Sequence, residues 1–335
     1  MNLEEQVFGN ENKLLTKTDE QEDNSFFEEE EPKWKDDKEI QLVQATKDTS
    51  NKILKRQANL TVQEKCQSEV LQIVYDPSQQ LIAVVSNDSR VRLYQRDGKL
   101  LYSQLIKNTK PSSICFIQQH LITAVRSKQL ISYDVQFNKP TEIDIKSKQR
   151  DQFILICPII SALAAVTQIK SLCIIQGSII IKQIFLQFQP IFIKATENTI
   201  LLADNKLNLQ LLKFDEEFDV QSVRFQSTSF ITSIDLNDQF LAVGCNNGKI
   251  FLHYIDSIFL KDNKPIKELS NETTKISTVA LGGHRLFYSG SETGNVFDIA
   301  KDQFELQSPD LRGVCATCVG NQLYIGKGTG EIFSY

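Results

Sequence analysis

Short apolar runs separated by polar turns fill the chain from Val70 to its last residue, and the clearest stretch is Phe240 to Leu269. Phe240-Leu-Ala-Val243 and Ile250-Phe-Leu252 flank Gly244-Cys-Asn-Asn-Gly248, and Asn-Gly between two β-prone runs is the strongest short-range hairpin signal. Ile231-Thr-Ser-Ile-Asp-Leu236 precedes them and Pro265-Ile-Lys-Glu-Leu269 follows a polar loop. Together they predict a four-strand meander of about 40 residues, the size of one propeller blade.

The unit recurs. Residues 276–299 repeat it around Gly282-Gly-His284 and Gly290-Ser-Glu-Thr-Gly294, and residues 314–335 repeat it around Leu323-Tyr-Ile325 and Gly326-Lys-Gly-Thr-Gly330. Val70-Leu-Gln-Ile-Val-Tyr75, Asp76-Pro77, Leu81 to Val85, Ser86-Asn-Asp-Ser89 and Val91-Arg-Leu-Tyr94 form the same unit near the other end. Between Ser112 and Phe225 the strand-like runs continue, poor in glycine and rich in isoleucine, with Gln176-Gly177-Ser178 as one turn signal. Meanders fit at 69–107, 111–147, 150–186, 188–226, 229–270, 274–308 and 312–335. The expected fold is all-β, a seven-bladed WD-repeat-like β-propeller spanning 53–335, although the Trp-Asp blade ending of WD repeats is missing. The last meander has only three strands, so a strand near 59–66, around Asn59-Leu-Thr-Val62, is expected to complete it and remove an unpaired edge.

Charge divides the chain. Residues 1 to 64 hold 16 of the 42 acids and 9 of the 37 bases, which leaves a near-neutral body behind an acidic leader. Residues 1–52 are too polar to offset the entropy of ordering and are expected to be mostly disordered. Two apolar islands interrupt them, Val7-Phe8-Gly9 and Pro32-Lys-Trp34, the latter with the only tryptophan. An aromatic anchor in a charged tail suits docking to a partner; the plain alternative is packing against the chain's own propeller.

Composition removes several chemistries. Seven scattered cysteines suggest reduced thiols in an intracellular setting, with no disulfide framework. The apolar windows at 155–166 and 172–186 are broken by Pro158, Gln176 and Lys182 before the roughly 20 residues of a membrane helix, and read as buried strands. His120, His253 and His284 fall in three different blades, away from ligand-spaced Cys, Asp or Glu. Cys315-Ala-Thr-Cys318 lies in a predicted strand that turns the two thiols to opposite faces, with no second pair for zinc. Gly326 to Gly330 resembles a phosphate loop but sits between strands rather than before a helix. Asp76, Asp204, Asp235 and Asp238 read as turn acids. No cofactor, metal or catalytic residue is expected. Lys146, Lys148, Arg150, Lys261, Lys264 and Lys267 offer positive charge to RNA phosphates, or are solvated loop charges.

Several segments resemble a known family in order along the chain. These are Leu3-Glu-Glu-Gln-Val-Phe-Gly9, Pro32-Lys-Trp-Lys-Asp-Asp37, Ile53-Leu-Lys55, Val74-Tyr-Asp-Pro77 with Val91-Arg-Leu-Tyr94 and Asp97-Gly-Lys99, and Ala242 to Gly248 with Lys264-Pro-Ile-Lys267. They are similar to the U-three small nucleolar RNA-associated protein eighteen family, a WD-repeat component of the small-subunit processome. The resemblance implies a non-catalytic scaffold of ribosome biogenesis in the nucleus and nucleolus. Its implied partners are other processome propellers, the U-three snoRNP and pre-rRNA through the assembly, with no membrane and no DNA. Some members recruit an exosome-associated RNA helicase through a Leu-Phe-x-x-Asp-like motif; only Phe26-Phe27-Glu28 distantly corresponds here. The expected contact residues are Val7, Phe8, Gly9, Pro32 and Trp34, with Lys261, Lys264, Pro265 and Lys267 as a second contact. A general WD-repeat adaptor in ubiquitin ligation or trafficking is the competing reading, and a propeller hydrolase the third.

Overall fold

A computed structural model describes residues 65–107, 109–118, 120–126, 129–134, 139–145, 152–270, 274–320 and 322–335. Blade one consists of β1 (Val70–Asp76), β2 (Leu81–Ser86), β3 (Arg90–Gln95) and β4 (Leu100–Leu105). Blade two holds β5 (Ser113–Ile117), β6 (His120–Ala124), β7 (Gln129–Asp134) and β8 (Lys139–Asp144), and blade three β9 (Phe153–Ile159), β10 (Ala162–Thr167), β11 (Ser171–Gln176) and β12 (Ile179–Phe185). Blade four is β13 (Phe192–Ala195), β14 (Thr199–Ala203), β15 (Asn208–Phe214) and β16 (Val220–Gln226). Blade five is β17 (Ile231–Leu236), β18 (Phe240–Cys245), β19 (Lys249–Tyr254) and β20 (Lys267–Ser270), with helix α1 (Ile255–Phe259) between its last two strands. Blade six is β21 (Thr278–Gly282), β22 (Arg285–Ser289), β23 (Gly294–Asp298) and β24 (Gln303–Ser308); blade seven is β25 (Cys315–Val319), β26 (Gln322–Gly326) and β27 (Ile332–Ser334). Every sheet is an antiparallel meander in chain order, and the innermost strands touch in sequence from β1 through β5, β9, β13, β17, β21 and β25 back to β1. The ring is closed, with seven blades.

Its core is seven seams rather than one centre. Each seam joins neighbouring blades because the second strand of a blade is buried on both faces and alternates its side chains between them. In β2, Ile82 and Val84 pack toward blade seven while Leu81, Ala83 and Val85 pack toward blade two. Ile200 and Leu202 of β14 face blade three, and Leu201 and Ala203 face blade five. β18 divides likewise, with Phe240 and Ala242 on one side and Leu241, Val243 and Cys245 on the other. Such strands read as continuous apolar runs, which is how they stand out in the sequence.

Polar side chains on the inner strands tie the blades around the axis. Gln72 donates to the Ile114 carbonyl and accepts from its N–H, both at 3.0 Å, and Ser113 does the same with Ile156 at 3.2 Å. The Ser233 hydroxyl accepts from Val279 N–H at 3.0 Å, and Ser277 donates to the Gly313 carbonyl at 2.7 Å. Asp235, expected in a turn, lies within β17 at 6% exposure, accepting from Leu281 N–H at 2.7 Å and pairing with Lys194 Nζ at 2.9 Å. Burial of its carboxylate is supported by these two partners. Asp76 and Asp204 do stabilise their own turns, accepting from Ser78 N–H and from Lys206 and Asn208 N–H.

The expected hairpins at Gly177, Gly248, Gly283 and Gly330 have glycine at φ values from +58° to +84°. At Gly330 a Cβ would run into the Cys66 carbonyl oxygen. The polar stretch after β19 departs from a simple loop. There α1 buries Ile255 and Ile258 in the seam between blades four and five. The expected closing strand near 59–66 lies outside the described residues apart from Lys65 and Cys66. Cys66 N–H donates to the Gly330 carbonyl at 3.1 Å, and Lys65 pairs with Glu331 at 2.7 Å.

Candidate interaction surface

Val7, Phe8, Gly9, Pro32 and Trp34 lie outside the described residues, as do Lys146, Lys148 and Arg150. Lys261, Lys264 and Pro265 lie on the segment joining α1 to β20, and Lys267 is the first residue of that strand. Hydrophobic burial of α1 pulls the chain in, after which Lys261 turns it outward through a left-handed φ of 67°. Leu260 is left 82% exposed beside it. Asp262 then accepts from the Lys264 N–H at 3.2 Å. The His253 ring holds the segment from beneath by a hydrogen bond to the Lys264 backbone, and burial pushes that imidazole down to about 4.

Of the four, Lys267 is already engaged. Its ammonium lies 2.6 Å from Asp302 and 5.8 Å from the centre of the Phe297 ring. Lys261, Lys264 and Pro265 are exposed. From Lys267 the surface continues over blade six through the ion pairs Lys301–Asp298 at 2.6 Å and Arg285–Glu305 at 2.8 Å. Beyond them, between blades six and seven, lies a cavity of about 350 Å³. Phe287, Val296, Leu306, Leu323 and Tyr335 line it with the Arg285–Glu305 pair, and Phe304, 54% exposed, packs 5.3 Å from Phe297. Sequence reasoning missed this cavity because its walls come from five strands and the chain's final residue. The one local signal was Phe304 at a position where an outer strand of the blade meets solvent.

A second concavity, of about 290 Å³, is the central channel, lined by inner-strand residues that include Gln72, Ser113, Lys194 and Thr278. Its one described ion pair, Lys194 with Asp235, is the interblade clamp described above. Cys315 and Cys318 face different neighbours, Gly326 within the same blade and Gly282 of blade six. Burial pushes both thiols up to about 12, away from the thiolate that metal binding and redox attack require. Among the described residues no three His, Cys, Asp or Glu side chains converge as a metal site, and no helix is long and apolar enough to cross a membrane. The surface offers an apolar slot flanked by both signs of charge.

No family model and no curated protein matches the chain. Solved structures do. U3-55K is similar with a TM-score of 0.68 and 15% identity, over 81% of this chain and 92% of that one. The WD40 repeats of RRP9 are similar with a TM-score of 0.68 and 16% identity, over 81% and 91%. The computationally designed Ika8 protein matches with a TM-score of 0.60 and 11% identity, over 83% and 99%. At these identities the likeness is one of fold, a WD40-type propeller.

Proposed function

We propose that this chain is a non-catalytic propeller scaffold of ribosome biogenesis, acting in the small-subunit processome in the manner of the family its sequence resembles. The observation that carries the reading is the order of short segments, from Leu3 to Gly9 and Pro32 to Asp37 in the leader through to Lys264 to Lys267, on a chain whose fold matches U3-55K and the RRP9 repeats. Fold alone would not support it, since a designed propeller matches too. In this reading Val7, Phe8, Gly9, Pro32 and Trp34 dock the leader on neighbouring processome propellers. Lys261, Lys264 and Pro265 form the second contact next to the apolar slot of blades six and seven.

Tagged protein should concentrate in the nucleolus and co-purify U-three RNA. Uniform cytoplasmic staining without that RNA would overturn the reading and favour the general adaptor. Phe8→Ala with Trp34→Ala should reduce recovery of partner propellers while leaving thermal unfolding of the chain unchanged. Equal loss of fold stability would assign both residues to the propeller's own packing instead.

A further inference from the structure

Over blades one to four the two faces of the ring differ in charge. One face holds the connections from each blade to the next and the turns between second and third strands; the other holds the remaining hairpins. The second face collects acids, above all Asp215, Glu216, Glu217 and Asp219 in the β15–β16 turn, and it also carries Lys261 and Lys264. The crossover face over blades one to four is basic. Lys107 and Lys110 lie between β4 and β5, Arg126 after β6, Lys170 between β10 and β11, and Lys206 between β14 and β15. All five are exposed, and none forms an ion pair among the described residues. Over blades one to four the described acids at that end are few: Asp88 closes on Arg92 at 2.6 Å, Asp204 caps its own turn, and Glu69 precedes β1, while Glu292, Asp310 and Glu331 lie over blades six and seven.

Large apolar side chains stand among these cations. Phe185 is 70% exposed, Phe230 56% and Ile169 52%. The arrangement repeats in adjoining blades. Phe185 directly precedes Leu186, whose N–H donates to the Lys170 carbonyl at 2.7 Å; Phe230 directly precedes Ile231, whose N–H donates to the Lys206 carbonyl at 2.8 Å. A backbone bond thereby places the main chain at each exposed phenylalanine beside a lysine-bearing turn. A ring left that open contributes little to folding, whereas exposed aromatic rings set among cations are what unpaired bases and a phosphate backbone require.

We propose that the crossover face of blades one to four binds single-stranded nucleic acid directly, with Phe185 and Phe230 stacking on unpaired bases and Lys107, Lys110, Arg126, Lys170 and Lys206 meeting phosphates. The assignment goes beyond the scaffold reading and does not depend on it: nucleolar residence tests one, and binding by the purified chain tests the other.

The experiment measures binding of a labelled single-stranded RNA of roughly 12 nucleotides to the purified full chain across a salt series. Binding should weaken with salt, and Lys170→Glu with Lys206→Glu should lower the log–log slope by roughly one to two. Phe185→Ala and Phe230→Ala should each cost about tenfold in affinity or more, while Lys261→Glu with Lys264→Glu, on the opposite face, should change the slope little. Unchanged thermal unfolding verifies that each variant is folded. Absence of binding overturns the proposal, as does equal loss from variants on both faces. Sensitivity to the lysines with none to the phenylalanines overturns it too, as does tighter binding of a polyglutamate peptide of equal charge, which would mark the face as a site for acidic protein.

Discussion

Lowering the pH from 7 to 5 should destabilise this propeller through one side chain, His253. Its ring is 6% exposed, Nδ1 has no hydrogen-bond partner, and the Phe225 ring centre lies 5.8 Å away. Burial disfavours the imidazolium, and the bond to the Lys264 backbone recovers only part of the loss, leaving the group near 4 against an ordinary 6.5. Because the folded value is depressed, the unfolded chain binds the proton first. Stability is therefore complete above about 6.5 and is lost as pH falls from there toward 4. At pH 5 the unfolded imidazole is almost fully charged and the folded one almost neutral, so the difference amounts to about 2 kcal/mol, or roughly 3–4 °C in Tm for a domain of this size. Urea unfolding at pH 7 and pH 5 should be compared between the wild type and His253→Gln, which keeps a donor for the Lys264 carbonyl but does not titrate in this range. Carboxylates act alike in both proteins and cancel in the comparison. An equal pH-dependent loss in the two would refute the argument, since the titrating group would then lie elsewhere.

Other expectations follow from named contacts. Arg92 is fully buried and donates to the Asp88 carboxylate at 2.6 Å and to the Ser86 hydroxyl at 2.7 Å. Burial by itself would raise the Asp88 carboxyl, but the bonds to Arg92 and Ser86 outweigh it and hold it at about 2. Asp88→Ala should cost about 3–5 kcal/mol in chemical denaturation by stripping the carboxylate from a buried guanidinium, and a cost below about 1 kcal/mol would contradict the pairing. In the wild type this contribution should persist above the ordinary carboxyl range near 3.8 and fade as pH falls toward 2. Ile160 sits in a left-handed turn at φ 46° with 40% exposure; Ile160→Gly should raise Tm by relieving about 1 kcal/mol of strain, and a lower Tm would show that its side chain matters more than its backbone. Gly330→Ala should lower Tm, because the new methyl group meets the Cys66 carbonyl oxygen and the site has a φ of 84°; an unchanged Tm would mean that this approach is looser than the structure has it.

The sequence determined the repeat and its length. Doubly buried second strands such as Leu81 to Val85 and Phe240 to Val243 announce themselves as unbroken apolar runs, and Asn-Gly at 247–248 and Gly-Gly at 282–283 mark hairpins because left-handed backbone costs glycine nothing. Blades two to four were fainter for a physical reason. Their turns place Gln118, Arg126, Ile160, Lys170 and Phe218 at positive φ, with Gly177 the only glycine from 111 to 226, so most of the usual punctuation is missing although the geometry is the same. Only the closed ring decided the rest. Asp235 looked like a turn acid and became an interblade clamp once β17 was set beside β21 and Lys194; Lys267 looked like a free cation until blade six presented Asp302. The cavity of blades six and seven, and the sorting of cations and phenyl rings onto one face, depend on residues far apart in the chain, and local periodicity holds no information about which of them closure brings together.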